Sequence, residues 1–166
     1  VGPRINAAGR MESGGKAVEL LKSNSREEVE KIAAEINQNN EARKDLDKKA
    51  TEEAKKMLTS CADLTSKKTT VVYGKDWHKG VIGIVASRLI EKYYKPTIVF
   101  TKSNDLITGS ARSVKDFDIY AAIESCSHLL THFGGHKFAA GLSLEEKNLE
   151  EFMRLFEQEV EKKITD

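Results

Sequence analysis

Long apolar runs, net charge, cysteine and metal-ligand clusters are all scarce in this chain, and each shortage excludes something. No segment approaches the roughly 18 apolar residues of a membrane-spanning helix, and no basic-then-apolar signal opens the sequence. A membrane partner is therefore not expected. Twenty-seven lysines and arginines face 26 aspartates and glutamates, for a formal charge of +1, so attraction to nucleic acid must come from a local patch rather than from the global field. Cys61 and Cys126 are the only cysteines and neither belongs to a CxxC. Two isolated thiols build no disulfide framework and suit a reducing compartment, which predicts a cytoplasmic location. Absent too are a P-loop lysine motif, a cluster of Asp and His at metal-ligand spacing, and a nucleophile with its base.

What is present begins with enough apolar residue, 39% of 166, to bury a core, and a length that fits one domain plus an appendage. Glycine and proline are missing from Ser25 to Thr59. Ser25 can cap and Glu28 follows three residues later, so a helix is predicted over 25–59, a rod of roughly 45–50 Å. Its apolar stripe is adequate at Val29, Ile32, Ala33 and Ile36, then thins to Ala42, Leu46, Ala50 and Ala54. The thinning predicts that the middle stands in solvent, supported by its own charge pairs, as a connector between two bodies. The chain starts at Val1 within the dense string "VGPRINAAGR", which suggests a piece of something longer.

Beyond residue 68 the pattern turns to short strands and helices. "TTVVYG" (69–74) and "TIVFT" (97–101) read as buried strands on either side of an amphipathic helix over 80–94, a parallel crossover unit. A strand over 106–112, a helix from about Asp118 to Leu130, a glycine turn, a strand over 139–144 and a last helix from Leu149 to Lys163, with Asn148 as a plausible cap, complete the prediction. The fold class is α/β: a long connecting helix followed by a small domain with a central mixed sheet flanked by helices.

Three stretches suit an anion. In "GSARS" (109–113) Arg112 stands between Ser110 and Ser113. A guanidinium fork beside hydroxyls matches a phosphate, and the competing reading is a strand end whose arginine meets Asp116 or Asp118. In "FGGHKFAAG" (133–141) successive amides at a glycine turn would form an anion nest that His136 could join, or else the segment is only a tight turn. In "DWHKGVIG" (76–83) His78 precedes a helix start, whose partial positive charge favours an anion, and Arg88 lies further along the same helix as a functional or a surface cation. His128, His132 and His136 recur at every fourth position, but Gly134 and Gly135 interrupt any helix there and no HExxH glutamate is present, so a metal reading is set aside.

"GPRINAAGR", "NNEAR", "WHKGVIGIVASRL", "GSARS" and "FGGHKFAAG", taken in order, resemble the RecJ family of bacterial single-stranded-DNA-specific 5′→3′ exonucleases over nearly the whole chain. The resemblance implies residues 1–24 as the tail of an upstream catalytic DHH domain, 25–59 as a connecting helix, and 60–166 as a DHH-associated substrate-binding domain. It implies that Arg4, Asn6 and Arg10 face the substrate cleft, that Asn40 and Arg43 lie near the DNA path, and that Ser110 and Arg112 grip the 5′-phosphate. Gly134 and Gly135 then close over the scissile end, with His136 as the catalytic residue. Two Mn2+ or Mg2+ ions would be bound by the DHH domain upstream of Val1, so this chain holds no cofactor of its own and is expected to be inactive alone. The partner is single-stranded DNA, joined in the parent by single-strand-binding protein or helicase partners. The parent is expected to act as a monomer in DNA repair and recombination. Two alternatives remain open: a non-catalytic nucleotide or nucleic-acid binding module, and a DHH-family phosphoesterase acting on oligoribonucleotides, cyclic dinucleotides or aminoacyl-tRNA.

Overall fold

A computed structural model describes residues 6, 9–11, 15–60 and 66–164. Arg4, most of "GPRINAAGR" and Cys61 lie outside the described residues. The chain divides into two compact units, residues 1–49 and 50–166.

In the first unit, α1 (Gly15–Lys22) and the first part of α2 (Arg26–Thr59) bring Leu20 against Ile32 and Ile36, and Lys16 Nζ meets a Glu35 carboxylate oxygen at 3.1 Å. Ser25 Oγ accepts the Glu28 amide at 3.4 Å, so the predicted cap is in place. The expectation for the middle of α2 is overturned. One face stays buried along its length, through Ile36, Asn40, Asp47, Ala50, Thr51, Ala54 and Leu58. The spacing is helical, but Asn40 and Asp47 occupy positions on this stripe where an apolar residue is the usual signal of burial.

The second unit is built on a five-stranded mixed sheet in the order β1-β2-β3-β5-β4, as the α/β prediction required. β1 (Thr70–Tyr73) and β2 (Thr97–Ser103) are parallel and joined by α3 (Ile82–Tyr93). β3 (Leu106–Arg112), β5 (Ala139–Leu144) and β4 (Leu130–His136) continue the sheet antiparallel. Side chains alternate across a strand, so this register sorts them into two faces. One face carries Ile98, Phe100, Ile107, Ala111, Leu142 and Leu144, packed with Ile119 and Ile123 of α4 (Ile119–Glu124) and Phe152, Phe156 and Val160 of α5 (Leu149–Lys163). Phe152 sits at the centre, edge-on to Phe100 at 5.8 Å and stacked on Phe156 at 5.9 Å. Each such ring contributes packing beyond its buried area. α3 covers part of the other face, and Trp77 seals its loop: the indole Nε1 donates to Glu53 at 2.7 Å and Thr101 Oγ1 donates to the Trp77 carbonyl at 2.6 Å.

Three local expectations fail. The helix predicted to reach Leu130 ends at Glu124, and after a single 3-10 turn (Ser127–Leu129) the chain enters β4. His128 and His132 therefore share no helix face. Gly134 and Gly135 form no turn; they lie inside β4, and the reversal is made by Lys137 and Phe138. Asn148 stands at the start of α5 without capping it, because its side-chain amide donates to the Leu129 carbonyl at 3.1 Å.

Candidate functional site

The pairing register lays residues from three antiparallel strands in rows on the face that α3 only partly covers. In one row Thr70, Thr97, Arg112, Ala139 and His136 follow one another from β1 to β4. In the next the order is Val72, Val99, Ser110, Gly141 and Gly134. A third contains Thr101, Thr108, Ser143 and His132. Ser110, Arg112, Gly134 and His136, predicted from separate motifs, thus meet on one surface. Gly141, Thr108, Ser143 and His132 belong to it as well and were missed. Only the alternation of "AAGLSL" against "LTHFGGH" hinted at them, and that hint needs the register to be read.

Arg112 is half-buried and held. Its Nη1 donates to Ser110 Oγ at 3.0 Å and to the Ala111 carbonyl at 2.8 Å, which fixes the guanidinium plane against the sheet. Asp118, one of the two rival partners considered for it, accepts the Ala121 amide at 3.0 Å as the N-cap of α4. Beyond Arg112 and Ser110 the surface loses its side chains. A Cβ built on Gly134 or on Gly141 would meet nothing within 4 Å, and with Thr108, His132 and Ser143 these glycines line a shallow depression of about 310 Å³. Main chain is exposed here to a ligand lying on the sheet.

His136 is exposed at the end of β4. Its Nδ1 accepts the Phe138 amide at 3.3 Å, so Nε2 carries the proton in the neutral ring and projects a donor, the form that suits a phosphate oxygen rather than a metal ion. His78 is fixed in the same way, its Nδ1 accepting the Gly80 amide at 3.0 Å. The β4–β5 turn is pinned from outside, since the Ser113 and Ile119 amides donate to the Phe138 and Lys137 carbonyls at 2.9 and 3.2 Å.

The remaining predicted residues are not gathered here. Gly135 faces the opposite way from Gly134. Its φ of 152° and the Ala139 carbonyl oxygen, into which a Cβ would run, make it a requirement of the strand pairing. The anion nest expected of "GGH" does not form, because in an extended strand successive amides point to opposite sides. Arg88 is exposed beside Lys55, Glu91 and Lys92. Asn40 and Arg43 lie on α2 with Oδ1 and Nε buried and unpartnered, and Asn6 and Arg10 are exposed. Among the described residues no group of three or more His, Cys, Asp or Glu could hold a metal ion. None of the described helices is long and apolar enough to cross a membrane.

The DHHA1 domain family matches residues 66–162, and the chain is a member of it. Its relatives include the single-stranded-DNA-specific exonuclease RecJ of Bacillus subtilis, 39% identical over 150 residues and 89% of this chain, and that of Haemophilus influenzae, 35% identical over 96% of it. Crystallised RecJ from Thermus thermophilus in complex with Mg2+ superposes with a TM-score of 0.87 at 30% identity over 99% of this chain; the same protein has been solved with Mn2+. The chain spans only 19% and 29% of the two curated relatives and 25% of the crystallised chain.

Proposed function

We propose that this chain is the strand-holding part of a RecJ-like 5′→3′ single-stranded-DNA exonuclease, with residues 1–24 the tail of a catalytic domain, 25–59 the connector and 60–166 the substrate-binding domain. The observation that carries the proposal is the row Arg112–Ala139–His136 beside Ser110–Gly141–Gly134. It is a phosphate-type fork at one end, a proton donor at the other, and exposed main chain between. In this reading Arg112 and Ser110 hold the terminal 5′-phosphate by charge-assisted hydrogen bonds, and the sugar–phosphate chain crosses the glycine strip. His136 donates through Nε2 to an oxygen of the scissile phosphate. Arg4, Asn6, Arg10, Arg43, His78 and Arg88 are proposed to contact the strand outside that strip, whereas Asn40, buried on α2, is not. Two divalent metal ions bound elsewhere in the parent would supply the activated water. The chain alone is therefore expected to bind DNA without cutting it, and a role of the parent in repair and recombination follows from the activity.

The test compares 5′-phosphorylated with 5′-hydroxyl oligonucleotides in the complete protein. Arg112→Ala should erode the preference for the phosphorylated end by roughly 1.5–3 kcal/mol, and Lys should restore it only in part, because a point charge does not reproduce a fork. His136→Ala should lower kcat on both substrates alike. An unchanged end preference in Arg112→Ala would reduce "GSARS" to a strand end.

A further inference from the structure

Gly83, the second residue of α3, has no reason to be glycine that the backbone supplies. Among the described glycines only Gly135 has a positive φ, so Gly83 uses none of the conformational freedom of its type, and inside a helix glycine is less favourable than alanine. What a Cβ at Gly83 would meet is side chain only: Arg112 Nη2 at 2.8 Å, Ser110 Oγ at 3.0 Å and Arg112 Cζ at 3.7 Å. No backbone atom is among the three nearest. The side-chain-free spot on α3 is therefore filled by the guanidinium, which lies between the helix on one side and, through Nη1, Ser110 Oγ and the Ala111 carbonyl on the other. An arginine held from both sides has little rotamer freedom left to lose when it binds.

We propose that Gly83 is a positioning residue: its missing side chain sets the plane of the Arg112 guanidinium and thereby how strongly the protein distinguishes a phosphorylated strand end from a hydroxyl one. The inference rests on the reading of Arg112 as the phosphate grip. A methyl group at Gly83 displaces the guanidinium and leaves the fold standing, because the ends of two flexible side chains can move where backbone cannot. Function and stability should then part company, as they would not if Gly83 served packing alone.

The experiment uses the complete protein with Gly83→Ala, Arg112→Ala and the double variant, reading thermal stability and the ratio of kcat/KM on 5′-phosphorylated over 5′-hydroxyl oligonucleotides. For Gly83→Ala the melting temperature should stay level or rise, while the ratio falls on the order of fivefold to tenfold through higher KM on the phosphorylated substrate alone. In the double variant Gly83→Ala should have no further effect, since the group it displaces is gone. Loss of folding in Gly83→Ala would overturn the inference by showing that the fold requires glycine there. An intact ratio in Gly83→Ala, with the ratio lost in Arg112→Ala, would overturn it and leave the phosphate grip standing. A ratio that survives Arg112→Ala would remove the grip itself, and the positioning role with it.

Discussion

The two halves of one sheet face obey opposite rules. Over β1 and β2 the rows hold Thr70, Val72, Thr97, Val99 and Thr101, all buried. Over β5 and β4 the same rows continue as Ala139, Gly141, Ser143, His132, Gly134 and His136, small or polar and mostly exposed. Branched side chains fill the space beneath α3, where the fold rewards volume. Past Arg112 nothing in the described chain occupies the space above Gly134 and Gly141, yet glycine is a costly choice within a strand. The difference teaches that packing within the described chain sets the residues under α3 but supplies no reason for the small ones at Gly134 and Gly141.

The comparison can be broken most severely at its covered half. Leu89 of α3 is fully buried, and Leu89→Ala should cost about 2–5 kcal/mol in urea denaturation; a loss well under 1 kcal/mol would mean the cover is loosely packed. Gly134→Ala combined with Gly141→Ala tests the bare half. Stability should hold or rise by up to about 1 kcal/mol as strand entropy is recovered, while single-stranded-DNA affinity falls roughly tenfold, equal to about 1.4 kcal/mol, in an equilibrium titration. If both quantities fall together, the glycines serve the fold and the contrast disappears.

Smaller effects sharpen the boundary. Glu53→Ala leaves the buried indole N–H of Trp77 without its acceptor and should cost about 1 kcal/mol of stability, read by the denaturation midpoint. Smallest is the effect of Cys126, whose thiol is pushed up to about 11 by burial. In a Cys61→Ser background the folded chain should resist thiol reagents at pH 8 and react fully once unfolded. Because its folded-state pKa lies above the unfolded one, unfolding releases a proton between the ordinary value near 9.0 and about 11, so this contribution to stability is present below that window and is lost as pH rises through it.

Periodicity and residue type by themselves determined β1, β2, β3, β5, α3 and α5, because "TVVY", "TIVFT" and the Phe152–Phe156–Val160 stripe carry the 2.0 and 3.6 repeats of their elements. They also marked Ser110, Arg112 and His136 as candidate anion contacts. What they left undecided was non-local. "FGGH" is locally as compatible with a turn as with a strand, and only pairing with "AAGLSL" makes it β4. A stripe that includes Asn40 and Asp47 reads as solvent-facing until burial is known. Above all, Gly83, Arg112 and Gly134 are separated by more than 20 residues at each step, and their juxtaposition is created by antiparallel register and by a helix lying across a sheet. Hydrogen-bond pairing between distant strands, whose residues carry no mark of their partners, is decided only when the whole chain packs.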